Sequence, residues 1–127
     1  MKKAVLFFTL LVLFTAYSFW VYSKGSKPSL LLTQHQRLEI RKGKKLFQEY
    51  NCVACHQVYG LGGYLGPDLT NAWSDKRRGE AYLRAMLASG GARMPNFHFS
   101  PDQIEAILSY LKYVDTTTAQ DAQRTAK

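Results

Sequence analysis

The distribution of apolar and polar residues divides the chain into an apolar N-terminal run and a longer mixed region. From Ala4 to Tyr22 all 19 residues are uncharged and most are apolar, and two lysines precede them. A helix needs about 20 such residues to span a bilayer. Trp20 near the end of the run and Lys24 after it are typical of a helix end at the lipid headgroups. The pattern predicts a single membrane-spanning helix.

The same run also has features of a secretory signal peptide, which would be removed from the mature protein. The tripeptide Ala16–Ser18 has the small-x-small pattern of a cleavage site. The apolar run continues past it to Tyr22, which favours retention as an anchor. A linker with a glycine and a proline is predicted from Ser23 to Ser29.

Apolar residues recur at helical spacing in three stretches of the mixed region. The first runs from about Leu31 to Tyr50, the second from Gly79 to Ser89 and the third from Pro101 to Val114. Ser100 and Gln103 form a capping-box pattern at the start of the third stretch. The sequence therefore predicts an all-α domain.

Gly43 interrupts the first helix, where glycine costs about 1 kcal/mol relative to alanine. A glycine here would allow another helix to approach closely, and Phe47, one turn further on, would pack at the same contact. The last helix offers an apolar face of Ile107, Tyr110 and Leu111. We predict that these two helices cross at Gly43.

Length and charge limit the organisation of the chain. The 127 residues suffice for one membrane segment and one small domain, predicted as 1–29 anchor and linker, 30–115 domain and 116–127 flexible tail. The net charge is +8, but the basic residues are scattered apart from clusters at 41–45 and 76–78, so nucleic acid is not an expected partner. A positive face can attract an acidic protein or anionic lipid. An ordinary solvated surface accounts for each cluster equally well.

The most informative motif is C-x-x-C-H at Cys52, Cys55 and His56, which contains the only two cysteines of the chain. This is the pattern for covalent attachment of a c-type haem. Two thiols on one turn can each add to a vinyl group of one porphyrin, and the histidine can then ligate the iron. We predict one covalent haem c with His56 as an axial ligand.

Three competing roles for the cysteines are less favourable. A disulfide between cysteines this close is strained and closes a very small loop. A thioredoxin-like redox pair needs a strand–helix–strand setting, and no strand pattern surrounds the motif. A structural zinc site usually has four ligands, and the only histidines that could complete it, His35, His56 and His98, are irregularly spaced.

The segment after the motif, Gly60 to Leu69, holds four glycines and a proline, which exclude a long regular element. We predict a loop whose backbone lies close to the haem and to His56. A carbonyl near Pro67 can accept a hydrogen bond from the His56 ring, which would orient the ring and raise its basicity. Tyr64 either bonds a haem propionate or simply packs over the loop.

An electron-transfer haem needs a ligand on each face of the iron, and a thioether raises its potential relative to a second imidazole. The candidates are Met86, Met94, His35 and His98. Met86 falls on the apolar stripe of a helix, where methionine is more often a packing residue. Met94 precedes a proline in a loop and is the predicted ligand. If neither Met94 nor His98 reaches the iron, an open haem for catalysis or gas binding is the alternative.

These motifs resemble those of class I cytochromes c. The shared residues are Cys52-x-x-Cys55-His56, Gly43 with Phe47, Met94-Pro95 and Ile107-x-x-Tyr110-Leu111. More narrowly, the anchor and two further segments are similar to the small, cytochrome c subunit of bacterial nitric oxide reductase. Those segments are Gly60-x-Gly62-x-Tyr64-x-x-Pro67-Asp68-Leu69-x-Asn71 and Met94-Pro95-x-Phe97.

The resemblance implies a class I cytochrome c-like fold around one haem and an electron-transfer role without a catalytic site in this chain. It implies electrons from a soluble cytochrome c or cupredoxin, delivered to a large integral-membrane subunit with haem b that converts two NO to N2O. It also implies an interface calcium ion on backbone carbonyls at Gly62 and Tyr64. Because c-type haem is attached outside the cytoplasm, the domain is expected on the periplasmic or external side of the cytoplasmic membrane. The segment Ala88 to Arg93 is shorter than in the family, which leaves partner contacts there open.

Two other functions fit parts of the sequence. An electron carrier for another complex, such as a haem-copper oxidase or a quinol-oxidising complex, would share nearly all of these features. A haem-based sensor would need a labile sixth ligand and an output domain, for which a chain of this length has no room.

Overall fold

A computed structural model describes residues 2–25 and 32–125, and the side chains of these apart from 25 and 119–125. The chain divides into two compact units, Met1–Leu32 and Thr33–Lys127. The first contains helix α1 (Lys2–Gly25). The described part of the second contains α2 (Gln34–Glu49), a 3₁₀ turn (Cys52–Ala54), strands β1 (Gln57–Val58) and β2 (Leu61–Gly62), α3 (Gly79–Ser89) and α4 (Pro101–Thr125).

Helix α1 is the predicted apolar helix. Its 24 residues correspond to about 36 Å at 1.5 Å per residue, enough to cross the ~30 Å hydrocarbon layer of a bilayer. Its apolar side chains are exposed, and the hydroxyls of Thr9 and Thr15 donate to helix carbonyls at 2.8 and 3.0 Å. The helix continues to Gly25, so the predicted linker begins later than Ser23. The rest of that linker and the predicted domain boundary at residues 29 and 30 lie outside the described residues.

Helix α2 begins at Gln34 because Thr33 caps it. The Gln36 N–H donates to Thr33 Oγ1 at 3.3 Å, and the Thr33 N–H donates to Gln36 Oε1 at 2.9 Å. This reciprocal pair satisfies backbone donors that a helix start leaves free. The predicted start at Leu31 falls outside the described residues.

Helices α2 and α4 cross at Gly43, as predicted. The Phe47 ring lies 5.4 Å from the Tyr110 ring, centroid to centroid. Ile107, Leu108 and Val114 on α4 are almost completely buried. The capping box predicted at the start of α4 is also confirmed, since the Ser100 N–H donates to Gln103 Oε1 at 2.9 Å.

Helix α4 extends to Thr125, so it continues past Val114 into the segment from residue 116 that was predicted as a flexible tail; the flexibility of that segment stays a prediction. The extension has tertiary partners that the sequence pattern did not show. Asp115 is buried and accepts hydrogen bonds from the N–H and hydroxyl of Ser74 at 2.8 and 2.9 Å. Thr118 donates to Asn71 Oδ1 at 2.9 Å.

A two-stranded antiparallel ladder follows the cysteine motif, with Gln57 opposite Gly62 and Val58 opposite Leu61. The sequence predicted only loop here. Tyr59 and Gly60 both have positive φ, 55° and 73°, and two such residues form the tight turn that matches the twist of a hairpin. The conformation of the turn therefore accounts for the ladder, and the two short strands have no alternating apolar pattern that could have predicted it.

Candidate haem-binding site

The two cysteines and the histidine of the motif lie on one turn. The N–H groups of Cys55 and His56 both donate to the Cys52 carbonyl, at 3.2 and 2.9 Å. Asn51, with φ of 52°, breaks α2 and starts this turn. The turn therefore presents two thiols and an imidazole from neighbouring positions, as attachment of one porphyrin requires.

Both thiols are free, and burial raises the pKa of the Cys52 thiol to about 11. In the unmodified chain this thiol is protonated at neutral pH, which slows disulfide formation because the thiolate is the reacting species. Among the described residues, no group of three or more His, Cys, Asp or Glu side chains is placed to hold a metal ion. Neither a disulfide nor a zinc site gains support.

The His56 ring is oriented by the glycine-rich loop. Its Nδ1 lies 2.8 Å from the Pro67 carbonyl oxygen, which confirms the predicted contact. A carbonyl only accepts, so Nδ1 carries the proton and Nε2 keeps its lone pair. That lone pair is what an iron ligand requires.

Gly66 brings the loop backbone against the same ring. A Cβ added at Gly66 would lie 2.6 Å from His56 Nδ1 and 2.9 Å from Nε2, closer than side chains approach. The Gly66 N–H donates to the Cys55 carbonyl at 2.8 Å. The absence of a side chain at Gly66 thus allows the backbone to hold both the motif and its histidine.

Several apolar side chains around the motif have little protein cover. Leu61 and Leu65 are each 75% exposed, Val53 is 41% exposed and Tyr64 is 87% exposed. A large apolar macrocycle is chemically matched to such a surface. Tyr64 has little contact with the loop, and its bond to a haem propionate stays a prediction.

The candidate sixth ligands occupy different environments. Met94 is partly buried against the same core as Cys52, and its carbonyl accepts from the Gly91 N–H at 2.8 Å. The Met86 thioether lies against Gly91, because a Cβ added there would be 3.3 Å from Met86 Sδ. His35 and His98 are exposed. Met94 as the iron ligand stays a prediction.

Sequence reasoning missed a hydrogen-bonded chain behind the loop. Asp68 Oδ1 accepts from the N–H and the hydroxyl of Thr70, at 2.7 and 2.5 Å, and these bonds lower the pKa of the Asp68 carboxyl. Thr70 Oγ1 accepts from the Tyr59 N–H at 2.8 Å. The Asp-x-Thr spacing is the one available signal, since such residues bond their own backbone two positions on.

The helical core, the C-x-x-C-H turn and the carbonyl behind its histidine together define a c-type cytochrome domain. Residues 38–111, more than half of the chain, match the family described as cytochrome c oxidase, cbb3-type, subunit III, and the chain belongs to that family. Membership in a cytochrome c family implies a covalently bound haem c.

Characterised relatives include several nitric oxide reductase C subunits. That of Halomonas halodenitrificans is 28% identical over 130 residues, covering 93% of this chain and 84% of the relative. That of Stutzerimonas stutzeri is 29% identical over 90 residues, 63% of this chain and 61% of the relative. That of Paracoccus denitrificans is 25% identical over 92 residues, 63% and 61% of the two chains. The chain is thus similar to C subunits of nitric oxide reductases.

Proposed function

We propose that this chain is a membrane-anchored, single-haem cytochrome subunit of a nitric oxide reductase complex. It takes electrons from a soluble cytochrome c or cupredoxin and passes them to a large, haem b-containing membrane subunit that reduces two NO to N2O. The likeness to a nitric oxide reductase C subunit over 93% of the chain carries this proposal. The chain itself makes or breaks no substrate bond.

In this proposal the thiols of Cys52 and Cys55 would attach the haem, and His56 Nε2 and the Met94 sulfur would bind its iron. The bound haem supplies an iron that alternates between ferric and ferrous states. The protein orients the His56 ring through Pro67, and apolar residues such as Leu61 and Leu65 keep water from the porphyrin. Holding both ligands in place in both states limits the rearrangement that each electron transfer requires.

The alternative is an electron-transfer subunit of a haem-copper oxidase. It is favoured by one specific observation, the description of the matching family as a cbb3-type oxidase subunit. Partner identity separates the two functions, because the cytochrome domain has the same task in both.

The deciding experiment is purification of the full-length holo-chain from its native membrane with its bound partners. We expect a large membrane subunit to copurify, and the complex to consume NO when given a reduced soluble cytochrome. A complex that consumes O2 but not NO would replace this function with the oxidase alternative.

Two further parts of the proposal concern the membrane and calcium. The domain after α1 lies on the periplasmic or external side, and N-terminal sequencing of the mature chain tests whether the apolar helix is retained or is cleaved after Ser18.

A calcium ion at the interface would bind the backbone carbonyls of Gly62 and Tyr64. Calorimetric titration of the chelator-treated complex with Ca²⁺ tests this, and the absence of a binding isotherm would remove calcium from the proposal.

A further inference from the structure

We propose that Thr70 is a positioning residue for the haem: it helps to fix the His56–Pro67 hydrogen bond by tying the loop behind His56 to the hairpin turn at Tyr59 and, through Tyr59, to α4. This inference rests on the proposed role of His56 as the iron ligand. It concerns the strength of the hydrogen bond between His56 Nδ1 and the Pro67 carbonyl. Binding of the iron by His56 does not by itself determine that strength.

The first step is the link between Thr70 and the Pro67 carbonyl. Asp68 follows Pro67 directly, and its carboxylate accepts both the N–H and the hydroxyl of Thr70. This pair of bonds closes a tight turn, which limits rotation of the peptide that carries the Pro67 oxygen. The oxygen is therefore held 2.8 Å from His56 Nδ1.

The second step is the attachment of this turn to the rest of the domain. The Tyr59 N–H donates to Thr70 Oγ1 at 2.8 Å, and the Tyr59 hydroxyl lies 2.6 Å from Thr117 Oγ1 on α4. Thr117 in turn donates to the Val114 carbonyl at 2.7 Å. A continuous chain of hydrogen bonds thus joins the packed helix α4 to the turn behind His56.

Thr70 occupies the centre of this chain and is 8% exposed. Its hydroxyl donates to Asp68 and accepts from Tyr59, so its single donor and one of its two acceptor positions are used. Loss of this oxygen would leave the Tyr59 N–H without its acceptor and release one of the two bonds on Asp68. The turn would then gain freedom, and the Pro67 oxygen would be held less firmly against the ring, although the backbone bonds of Gly66 to Cys55 and of Leu69 to Gln57 would remain.

The bond matters to the iron because an imidazole that donates its other N–H is a more basic ligand. A more basic ligand favours ferric over ferrous iron. Weakening the His56–Pro67 bond should therefore raise the reduction potential, and it should expose the Nδ1 proton to exchange with water.

The test compares Thr70→Val with Thr70→Ser in the full-length holo-protein. Valine has nearly the shape of threonine without the hydroxyl, whereas serine keeps the oxygen. The matched control is Thr116→Val, since the Thr116 hydroxyl donates to the carbonyl of Tyr113 in its own helix. The readouts are the midpoint potential, the exchange rate of the His56 Nδ1 proton by NMR, and the visible spectrum.

For Thr70→Val we expect a more positive potential and roughly 5- to 10-fold faster Nδ1 proton exchange, the effect of one lost hydrogen bond. Thr70→Ser and Thr116→Val should stay close to the wild type. A wild-type potential and exchange rate in Thr70→Val would overturn the proposal. So would equal changes in Thr70→Val and Thr116→Val.

If Thr70→Val yields no holo-protein, the exposed residue Asp68 provides a second comparison. Asp68→Ala removes the acceptor, and Asp68→Asn keeps an acceptor oxygen but removes the charge. The proposal is supported if the His56 Nδ1 proton exchanges faster in Asp68→Ala but not in Asp68→Asn. It is overturned if the exchange rates of the two variants are equal. These readouts need only holo-protein with His56 bound to iron, so a chain that copurifies with an oxidase would refute the proposed function without affecting this inference.

Discussion

Gly43 on α2 packs directly against the backbone of Ala106 on α4. A Cβ added at Gly43 would lie 2.5 Å from the Ala106 carbonyl carbon and 2.9 Å from the Tyr110 Cβ. Ala106 is fully buried, and its carbonyl belongs to the α4 hydrogen-bond ladder, so neither partner can move aside easily. This one contact fixes the distance between the two principal helices of the domain.

Gly43→Ala should therefore destabilise the domain by about 1–3 kcal/mol, the usual cost of overpacking a core. The better helix propensity of alanine opposes this effect without cancelling it. The measurement is chemical unfolding of the holo-protein. The exposed neighbour Lys44→Ala is the matched control and should change stability by less than about 0.5 kcal/mol. An unchanged unfolding midpoint in Gly43→Ala would contradict the predicted close contact.

Gly66→Ala should disturb the histidine side of the haem. The added methyl group would overlap the His56 ring, so either the ring or the loop must move. We expect loss of the sharp low-spin spectrum or a marked shift in potential. Gly60→Ala is the control, because among the described residues other than its two chain neighbours no atom lies within 4 Å of its added Cβ. Its positive φ costs roughly 1–2 kcal/mol but leaves the ring in place, and identical spectra of the two variants would disprove the role of Gly66.

Met94→Ala tests the sixth ligand. If the Met94 sulfur binds the iron, its loss opens that site, produces high-spin absorption and lowers the reduction potential. Met86→Ala removes the other described thioether of the domain and should keep the low-spin spectrum, with reduced stability from lost packing against Gly91. Retention of the low-spin spectrum in Met94→Ala would contradict ligation by Met94 and favour His98 as the sixth ligand.

Ser74→Ala tests the attachment of the α4 extension. It removes the hydroxyl that donates to the buried Asp115 carboxylate and should cost about 1.5–3 kcal/mol, the range for a hydrogen bond to a charged group. Ser89→Ala serves as the comparison, because the Ser89 hydroxyl donates to the carbonyl of Ala85 in its own helix and to that of Gly90, its C-terminal cap. Equal unfolding midpoints for the two variants would show that the Ser74 hydroxyl bond to Asp115 adds no stability.

Much of the fold could be predicted from sequence because the signals are local. Helix periodicity gave the bounds of α3, and the capping box at Ser100 gave the start of α4. The Gly43 crossing followed from a glycine that a helix would otherwise disfavour. The C-x-x-C-H spacing specified a haem for a similar reason, since one helical turn sets the distance between its three side chains.

The remaining features depend on residues that are distant in the chain. The extension of α4 past Val114 has no strong apolar pattern, and its partners Ser74, Asn71 and Tyr59 lie in loops that precede it by more than forty positions. The hairpin depends on positive φ angles at both Tyr59 and Gly60, and a tyrosine rarely adopts a positive φ. Neither feature leaves a periodic signal.

The sequence alone determined that this is a helical c-type cytochrome domain after an apolar helix, because attachment chemistry and helix periodicity act over a few neighbouring residues. Only the tertiary structure decided how the loop holding Pro67 is fixed behind His56. The hydrogen bonds that do so join Asp68, Thr70, Tyr59 and Thr117, and such contacts exist only once the packing of α4 against α2 has brought these segments together.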